Sequence, residues 1–318
     1  MFHLPFSIPP TQSQINLKEK IVLLGSCFAD SIGDKLIENK FQSNSNPFGT
    51  IYQPLAVFKI LSGAIDPNSM VENQGVWYPW DTHGQVSSLQ EQELKSIVNE
   101  KQHSLQQNLK TVNWLIITFG SAFAYRLKSS SQLVANCHKV PASEFKKELL
   151  SVETICEAFE KTYQHLQEIN PELKIILTVS PVRHIKDGGV ENNRSKARLL
   201  EATHSIVEKS DACGYFPAYE IMMDELRDYR FYAEDRVHPS QEAIDYIWDK
   251  FSETYFDDST KTFLKKWKGI QSAIEHRPFH PESKQHQAFL QKTIRDLRSM
   301  ENIVDVSAEL SLVESQLI

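Results

Sequence analysis

Three short, mostly apolar runs constrain the fold more than any other feature of this chain. Ile21-Val-Leu-Leu24 stops at Gly25, Trp114-Leu-Ile-Ile-Thr-Phe119 stops at Gly120, and Lys174-Ile-Ile-Leu-Thr-Val-Ser180 stops at Pro181. A strand with water on one face alternates apolar and polar residues. A run that is apolar at nearly every position is buried on both faces, as in a parallel sheet covered by helices. Each run ends in a residue that breaks regular structure and leads into a polar loop. In open α/β sheets that edge is where ligands collect.

Helical patterns lie between the runs. Residues 143–168 carry Leu149, Val152, Ile155, Phe159, Tyr163 and Leu166 at helical spacing, with a start expected near Ser143. Residues 195–208 carry Ala197, Leu200, His204 and Val207. Ser240 reads as an N-cap, followed by Ile244, Ile247, Trp248, Phe251 and Tyr255 on one face. Strands alternating with helices predict a doubly wound α/β domain over residues 1–256. The remainder, 257–318, reads as a C-terminal helical extension: helices at 260–275 and 282–299, then a partly disordered tail from 301. Whether these helices pack on the core or make a homodimer is left open by the sequence. A polar insertion at 64–110 contains Trp77, Trp80, Asp81 and His83.

Composition narrows the function classes. The chain has 318 residues, 41% hydrophobic and 24% charged, enough to bury a core without disulfides or metal. Its net charge of −7 is spread along the chain, so no nucleic-acid footprint is expected. No apolar stretch reaches the length of a membrane span. The N-terminal MFHLPFSIPP has no basic start, so a cytoplasmic protein with reduced thiols is expected. Cys27, Cys137, Cys156 and Cys213 form no CxxC pair, and no histidine–cysteine spacing suits a metal. With 11 glycines the chain has no phosphate-cradling loop, and no cofactor is implied.

Two constellations carry chemistry. In Leu24-Gly25-Ser26-Cys27-Phe28-Ala29-Asp30 a buried strand meets two nucleophile types and then a helical pattern through Ile32, Leu36 and Ile37. A side chain there sits at a helix N-terminus, where free N–H groups favour negative charge. That predicts a lowered thiol pKa at Cys27 and donors for an oxyanion. The bland alternative is a serine cap beside a buried cysteine. In Asp235-Arg236-Val237-His238-Pro239-Ser240 a carboxylate three residues before a histidine can turn back and hold the imidazole. Alone, such a spacing recurs by chance in surface turns.

Together the two resemble the SGNH (GDSL-like) hydrolases, and Gly25–Ala29 spells GSCFA, by which the chain is identified as a member of the GSCFA family. The resemblance covers roughly residues 1–256. It implies a three-layer α/β/α, flavodoxin-like parallel sheet and an ancestry among ester hydrolases and acyltransferases. It further implies His238 as base, Asp235 as its supporting acid, and Cys27 in the nucleophile slot, with Ser26 taking that role only if the turn shifts by one residue. The second block of the pattern falls on Asn46-Pro-Phe-Gly49-Thr50, with Gly49 as an oxyanion donor, or else on an ordinary Asn-Pro-x-Gly turn. The third block falls on Gly120-Ser121-Ala122, where alanine replaces an asparagine donor. Asn136 or His138 in one polar cluster, and Arg183 or His184 beyond the third run, are candidates to compensate, Arg183 by holding an anionic substrate group. The substrate class implied is a small-molecule or carbohydrate acyl ester. The rival readings are acyl transfer from a thioester donor and a ligand-binding module without catalysis.

Overall fold

The protein is described by a computed structural model covering residues 4, 5 and 7–318; the start of the predicted first domain, Met1–His3, and Phe6 lie outside the described residues. The chain runs β1 (Lys20–Gly25), α1 (Cys27–Glu38), β2 (Gln42–Ser45), α2 (Pro54–Leu61), β3 (Met70–Asn73), β4 (Val76–Pro79), α3 (Glu91–Leu109), β5 (Trp114–Phe119), β6 (Phe123–Leu127), β7 (Leu133–Val134), β8 (Phe145–Leu149) and α4 (Val152–Ile169). It continues through β9 (Lys174–Val179), α5 (Gly189–Val207), β10 (Cys213–Tyr215), the single turn α6 (Ala218–Glu220), α7 (Gln241–Tyr255), α8 (Asp258–Glu275), α9 (Lys284–Arg298) and α10 (Ser307–Glu314).

The main sheet has the order β10-β9-β5-β1-β2, and all its pairs are parallel. Counting only these strands along the chain, the order is 2-1-3-4-5, that of flavodoxin-like folds. The three expected apolar runs are its three central strands. Along β1, Ile21 and Leu23 face one apolar cluster and Val22 and Leu24 the other, because successive side chains alternate across the pleat. Helices α1, α7, α8 and α9 cover the first face; α2, α3, α4 and α5 cover the second. That is the three-layer α/β/α arrangement.

Three expectations about elements are corrected. The helix expected from Ser143 begins at Val152, capped by Ser151, whose Oγ accepts the Thr154 N–H at 3.1 Å. Leu149 lies instead in β8, which pairs antiparallel with β6 from Phe123↔Leu149 to Leu127↔Phe145. Helix α5 starts at Gly189, and its buried face is Asn192, Ser195, Lys196, Leu199, Ala202, Thr203 and Ile206, one step round from the apolar phase read in the sequence. The tail after 301 forms α10, and Val306 and Val313 join the same apolar cluster as Trp267 and Phe251.

Candidate active site

Because the main strands are parallel, the loops leaving β1, β5 and β9 share one edge of the sheet. The turn after β1 is tightly determined. Gly25 has φ +138°, and a β-carbon there would lie 2.1 Å from the Thr118 carbonyl oxygen of β5, so only glycine fits. Its N–H donates to Asn46 Oδ1 at 2.8 Å. Ser26 then caps α1: its Oγ accepts the Phe28 N–H at 3.3 Å, and the residue is 1% exposed. The hydroxyl thus takes the structural role, and Cys27, first residue of the helix and partly exposed, is the group presented at the turn.

The expected lowering of the Cys27 thiol is reversed. Burial pushes it above its ordinary 9.0, and Asp30, one turn along α1, pushes the same way. The backbone N–H groups of Cys27 and Phe28 and the charge of Lys196 oppose this without overcoming it. Desolvation thus outweighs the helix terminus.

Several predicted donors are engaged elsewhere. Asn46, with φ +42°, receives the Gly25 N–H and donates to Asp30 Oδ1 at 2.8 Å and to the Ser26 carbonyl at 3.4 Å. It is a brace for the turn rather than a free oxyanion donor. The Gly49 N–H donates to the Asn46 carbonyl at 2.7 Å, closing the ordinary Asn-Pro-x-Gly turn, so it too is unavailable to an oxyanion. Gly49 still matters: at φ +74°, its β-carbon would lie 2.5 Å from His83 Cβ. At the third block, Gly120 and Ser121 donate their N–H groups to the Tyr52 carbonyl at 2.8 and 2.9 Å, and the Ala122 N–H goes to Ser195 Oγ at 2.7 Å.

Asn136 and His138 build a neighbouring lobe. The Asn136 Oδ1 accepts the His138 backbone N–H at 2.9 Å. The buried His138 ring stacks on Tyr78 and lies 2.7 Å by Nε2 from the Pro79 carbonyl, and burial lowers its pKa to about 4. Arg183 stacks over Tyr232 at 4.2 Å and donates to Tyr229 Oη at 3.3 Å. His184 stays at the crevice, its ring 6.2 Å from that of Tyr52; burial lowers its pKa.

The Asp235–His238 loop forms as expected. Asp235 Oδ2 lies 2.6 Å from His238 Nδ1, while Oδ1 accepts the Val237 and His238 N–H groups at 2.8 and 3.0 Å. Arg236, at φ +61°, supplies the reversal. These bonds, the imidazole's first, hold the Asp235 carboxyl down at about 2. With Nδ1 taken, Nε2 is the ring nitrogen left for proton transfer, and the His238 side chain is 48% exposed. The Val237 carbonyl accepts the Arg183 N–H at 3.2 Å, which ties this loop to the loop after β9 on the same edge as Cys27. Among the described residues no hydrogen bond joins the His238 ring to Cys27 or Ser26.

Four residues at this edge are not singled out as site groups by the sequence. Asp30 lies at i+3 from Cys27, on the same helix face, and that spacing is a usable signal. Tyr52 senses the charges of Cys27 and Asp30, and burial raises its pKa. His83 acts on Asp30. Lys196 is buried, and Nζ donates to the Gly120 carbonyl at 2.9 Å and the Ser180 carbonyl at 2.6 Å. Among the described residues no group of three or more His, Cys, Asp or Glu side chains is placed to hold a metal, and no helix is long and apolar enough to cross a membrane.

No curated protein matches the chain. Two solved structures resemble it at 9% identity: a carbohydrate esterase family 3 from Talaromyces cellulolyticus, at TM-score 0.37 over 78% of this chain and 98% of that one, and a point mutant of an acetyl esterase with acetate ion, at TM-score 0.36 over 79% and 99%. The model of the GSCFA family matches residues 20–251, and that of the GSCFA domain protein, C-terminal domain, matches residues 267–318. With its Gly25–Ala29 turn inside the first match, the chain belongs to the GSCFA family.

Proposed function

We propose that the protein cleaves or transfers O-acyl esters of small molecules or carbohydrates, with Cys27 as nucleophile and His238, oriented by Asp235, as base. The observation that carries this reading is the Asp235–His238 pair, formed at 2.6 Å on the sheet edge where Cys27 opens α1. The Cys27 sulfur bonds to the substrate carbonyl carbon, and its proton passes to His238 Nε2. The tetrahedral oxyanion is met by the Cys27 N–H at the start of α1. The C–O bond then breaks, and the departing alkoxide takes the proton from the imidazolium. Water, or a second hydroxyl, next adds to the thioester through the same base and releases acid or new ester together with the thiol.

A thiol above its ordinary pKa needs a base to ionise it, so the reading requires the His238 ring to close on Cys27 when substrate binds. The test is release of acetate from acetylated sugars by the whole chain, compared with Cys27→Ala and His238→Ala. Acid released by the parent and lost in both variants supports the assignment; acid release untouched by Cys27→Ala removes it. A second reading, acyl transfer from a thioester donor, is favoured by the sulfur itself, since exchange between thioesters is close to balanced. Acylated sugar, rather than free acid, after addition of acetyl-coenzyme A would select it. Release of neither product would leave a binding module that keeps the fold.

A further inference from the structure

We propose that Arg183 and Arg227, set among Tyr229 and Tyr232, form an anion subsite that holds a phosphate or carboxylate group of the substrate beside the His238 loop.

A cleft of about 100 Å³ is lined by Arg183, Arg227, Asp228, Tyr229 and Tyr232, with Met222 and Met223 completing its wall. That is several times the space one water needs, enough for a small anionic group. The Arg183 guanidinium carbon lies 4.2 Å from the Tyr232 ring centroid and 5.2 Å from that of Tyr229, and one N–H donates to Tyr229 Oη at 3.3 Å. The two rings fix the plane of the guanidinium. It has five N–H donors, so others remain along its edge. Tyr232 Oη is directed to the Met223 sulfur at 4.0 Å, so its ring rather than its hydroxyl serves the subsite. Asp228, the carboxylate on the cleft wall, serves Arg230: Oδ1 accepts the Arg230 N–H at 2.9 Å, and Oδ2 lies 3.5 Å from Arg230 Nη2. Among the described residues neither Arg183 nor Arg227 makes an ion pair. Two like charges on one small cleft repel each other, and a single oxyanion bound between them satisfies both.

The cleft adjoins the proposed base through the backbone. Tyr232 pairs antiparallel with Pro239, the residue after His238, and partners of that kind lie about 5 Å apart. The Ala233 N–H donates to the His238 carbonyl at 2.8 Å, and the Ser240 N–H to the Phe231 carbonyl at 2.7 Å. The aromatic wall and the His238 loop are therefore two arms of one hairpin. The Arg183 N–H, on the Val237 carbonyl at 3.2 Å, joins that hairpin to the loop after β9. Met222 and Met223 come from a π-helical turn, Ile221–Glu225, a geometry that recurs at functional sites. A substrate held here by its anionic end loses its freedom to tumble before its ester meets the base.

Calling the bound group part of a substrate rests on the acyl chemistry proposed above, and the test of the subsite uses no ester. Inorganic phosphate is titrated calorimetrically into the whole chain at fixed ionic strength, and into Arg183→Gln and Arg227→Gln. The parent should bind one phosphate with a dissociation constant on the order of 1 mM, and each variant should bind about tenfold more weakly. Arg227 is exposed, so its variant keeps the test open if Arg183→Gln does not fold. Arg277→Gln, an exposed arginine of the C-terminal segment, removes the same charge elsewhere and should keep the parental affinity. Coenzyme A and glucuronate are then titrated in the same way. Binding tighter than that of phosphate and weakened in Arg227→Gln places the anion on an acyl donor in the first case and on the sugar in the second. No phosphate binding by the parent, or an affinity unchanged in folded Arg183→Gln or in Arg227→Gln, overturns the proposal. If phosphate binds through both arginines but no ester is cleaved, the function proposed above fails and the subsite stands. If esters are cleaved while phosphate binding ignores both arginines, the reverse holds.

Discussion

Replacing Trp267 by alanine tests whether the C-terminal helices are an appendage or part of the fold. Trp267 is 1% exposed. It stacks on Phe263 at 6.1 Å between centroids, and the Lys40 ammonium lies 5.2 Å from its ring. Its Nε1 donates to the Glu38 carbonyl at 2.9 Å. Glu38 is the last residue of the helix that Cys27 begins, so this indole joins the two matched segments of the chain at that helix. Truncating a fully buried tryptophan costs about 3–5 kcal/mol through lost transfer energy and the cavity left behind. A whole domain is stable by only about 5–15 kcal/mol, so Trp267→Ala should remove roughly a fifth or more of the total. Trp267→Phe keeps most of the packing. It loses one hydrogen bond, but the Glu38 carbonyl stays paired with Gln271 Nε2 at 3.0 Å, so about 1–2 kcal/mol is expected. Equilibrium urea unfolding, read by far-UV circular dichroism, should show one transition in all three chains, with the midpoint falling in the order parent, phenylalanine, alanine. A loss below about 1 kcal/mol for alanine, or an early transition that leaves the sheet unaffected, would refute the shared core.

Three further outcomes are expected. Gly25→Ala must push β1 away from Thr118 of β5, and adds a side chain at φ +138°; a loss of at least about 3 kcal/mol is expected in thermal unfolding, and near-parental stability would show that the turn is not so confined. Asp235→Asn keeps the loop's shape but removes the charge that fixes the imidazole tautomer. Ester turnover should fall on the order of a thousandfold with Cys27 alkylation unchanged, and turnover kept at the parental rate would exclude the dyad. His138 gives a pH dependence of known sign. Its folded pKa of about 4 lies below its ordinary 6.5, so the unfolded chain binds the extra proton, and stability falls as pH drops through that window by up to about 3 kcal/mol. Urea midpoints measured across that range should flatten in His138→Gln; an equal slope in both chains would assign the acid sensitivity to other groups.

The sequence shows the centre of this fold better than its margins, and the reason is burial. β1, β5 and β9 lie inside the sheet and need apolar residues on both faces, so their runs stand out. The edge strands β2, Gln-Ser-Asn-Ser, and β10, Cys-Gly-Tyr, have a neighbour on one side only and carry no such pattern. β8 reads as helix because its Phe145 and Leu149 fit a helical spacing as well as a strand's, and only pairing with β6 decides between them.

The site divides along a similar line. The Asp235–His238 loop is legible because its geometry is local: three residues and one left-handed backbone suffice to turn the carboxylate onto the ring. The oxyanion donors are not, because an N–H is available only if nothing nearer takes it, and Asn46 takes that of Gly49. Lys196 is hidden for the opposite reason. A lysine on a helix reads as solvent-facing, and its inward turn depends on two carbonyls contributed by strand ends 76 and 16 residues away. Hydrophobic periodicity cannot register a polar residue on a buried face, and it marks α5 one step out of phase there. Such a residue breaks the local rule for its position, and where a rule of that kind is broken at the ligand edge of a parallel sheet, a compensating use is the first explanation to test.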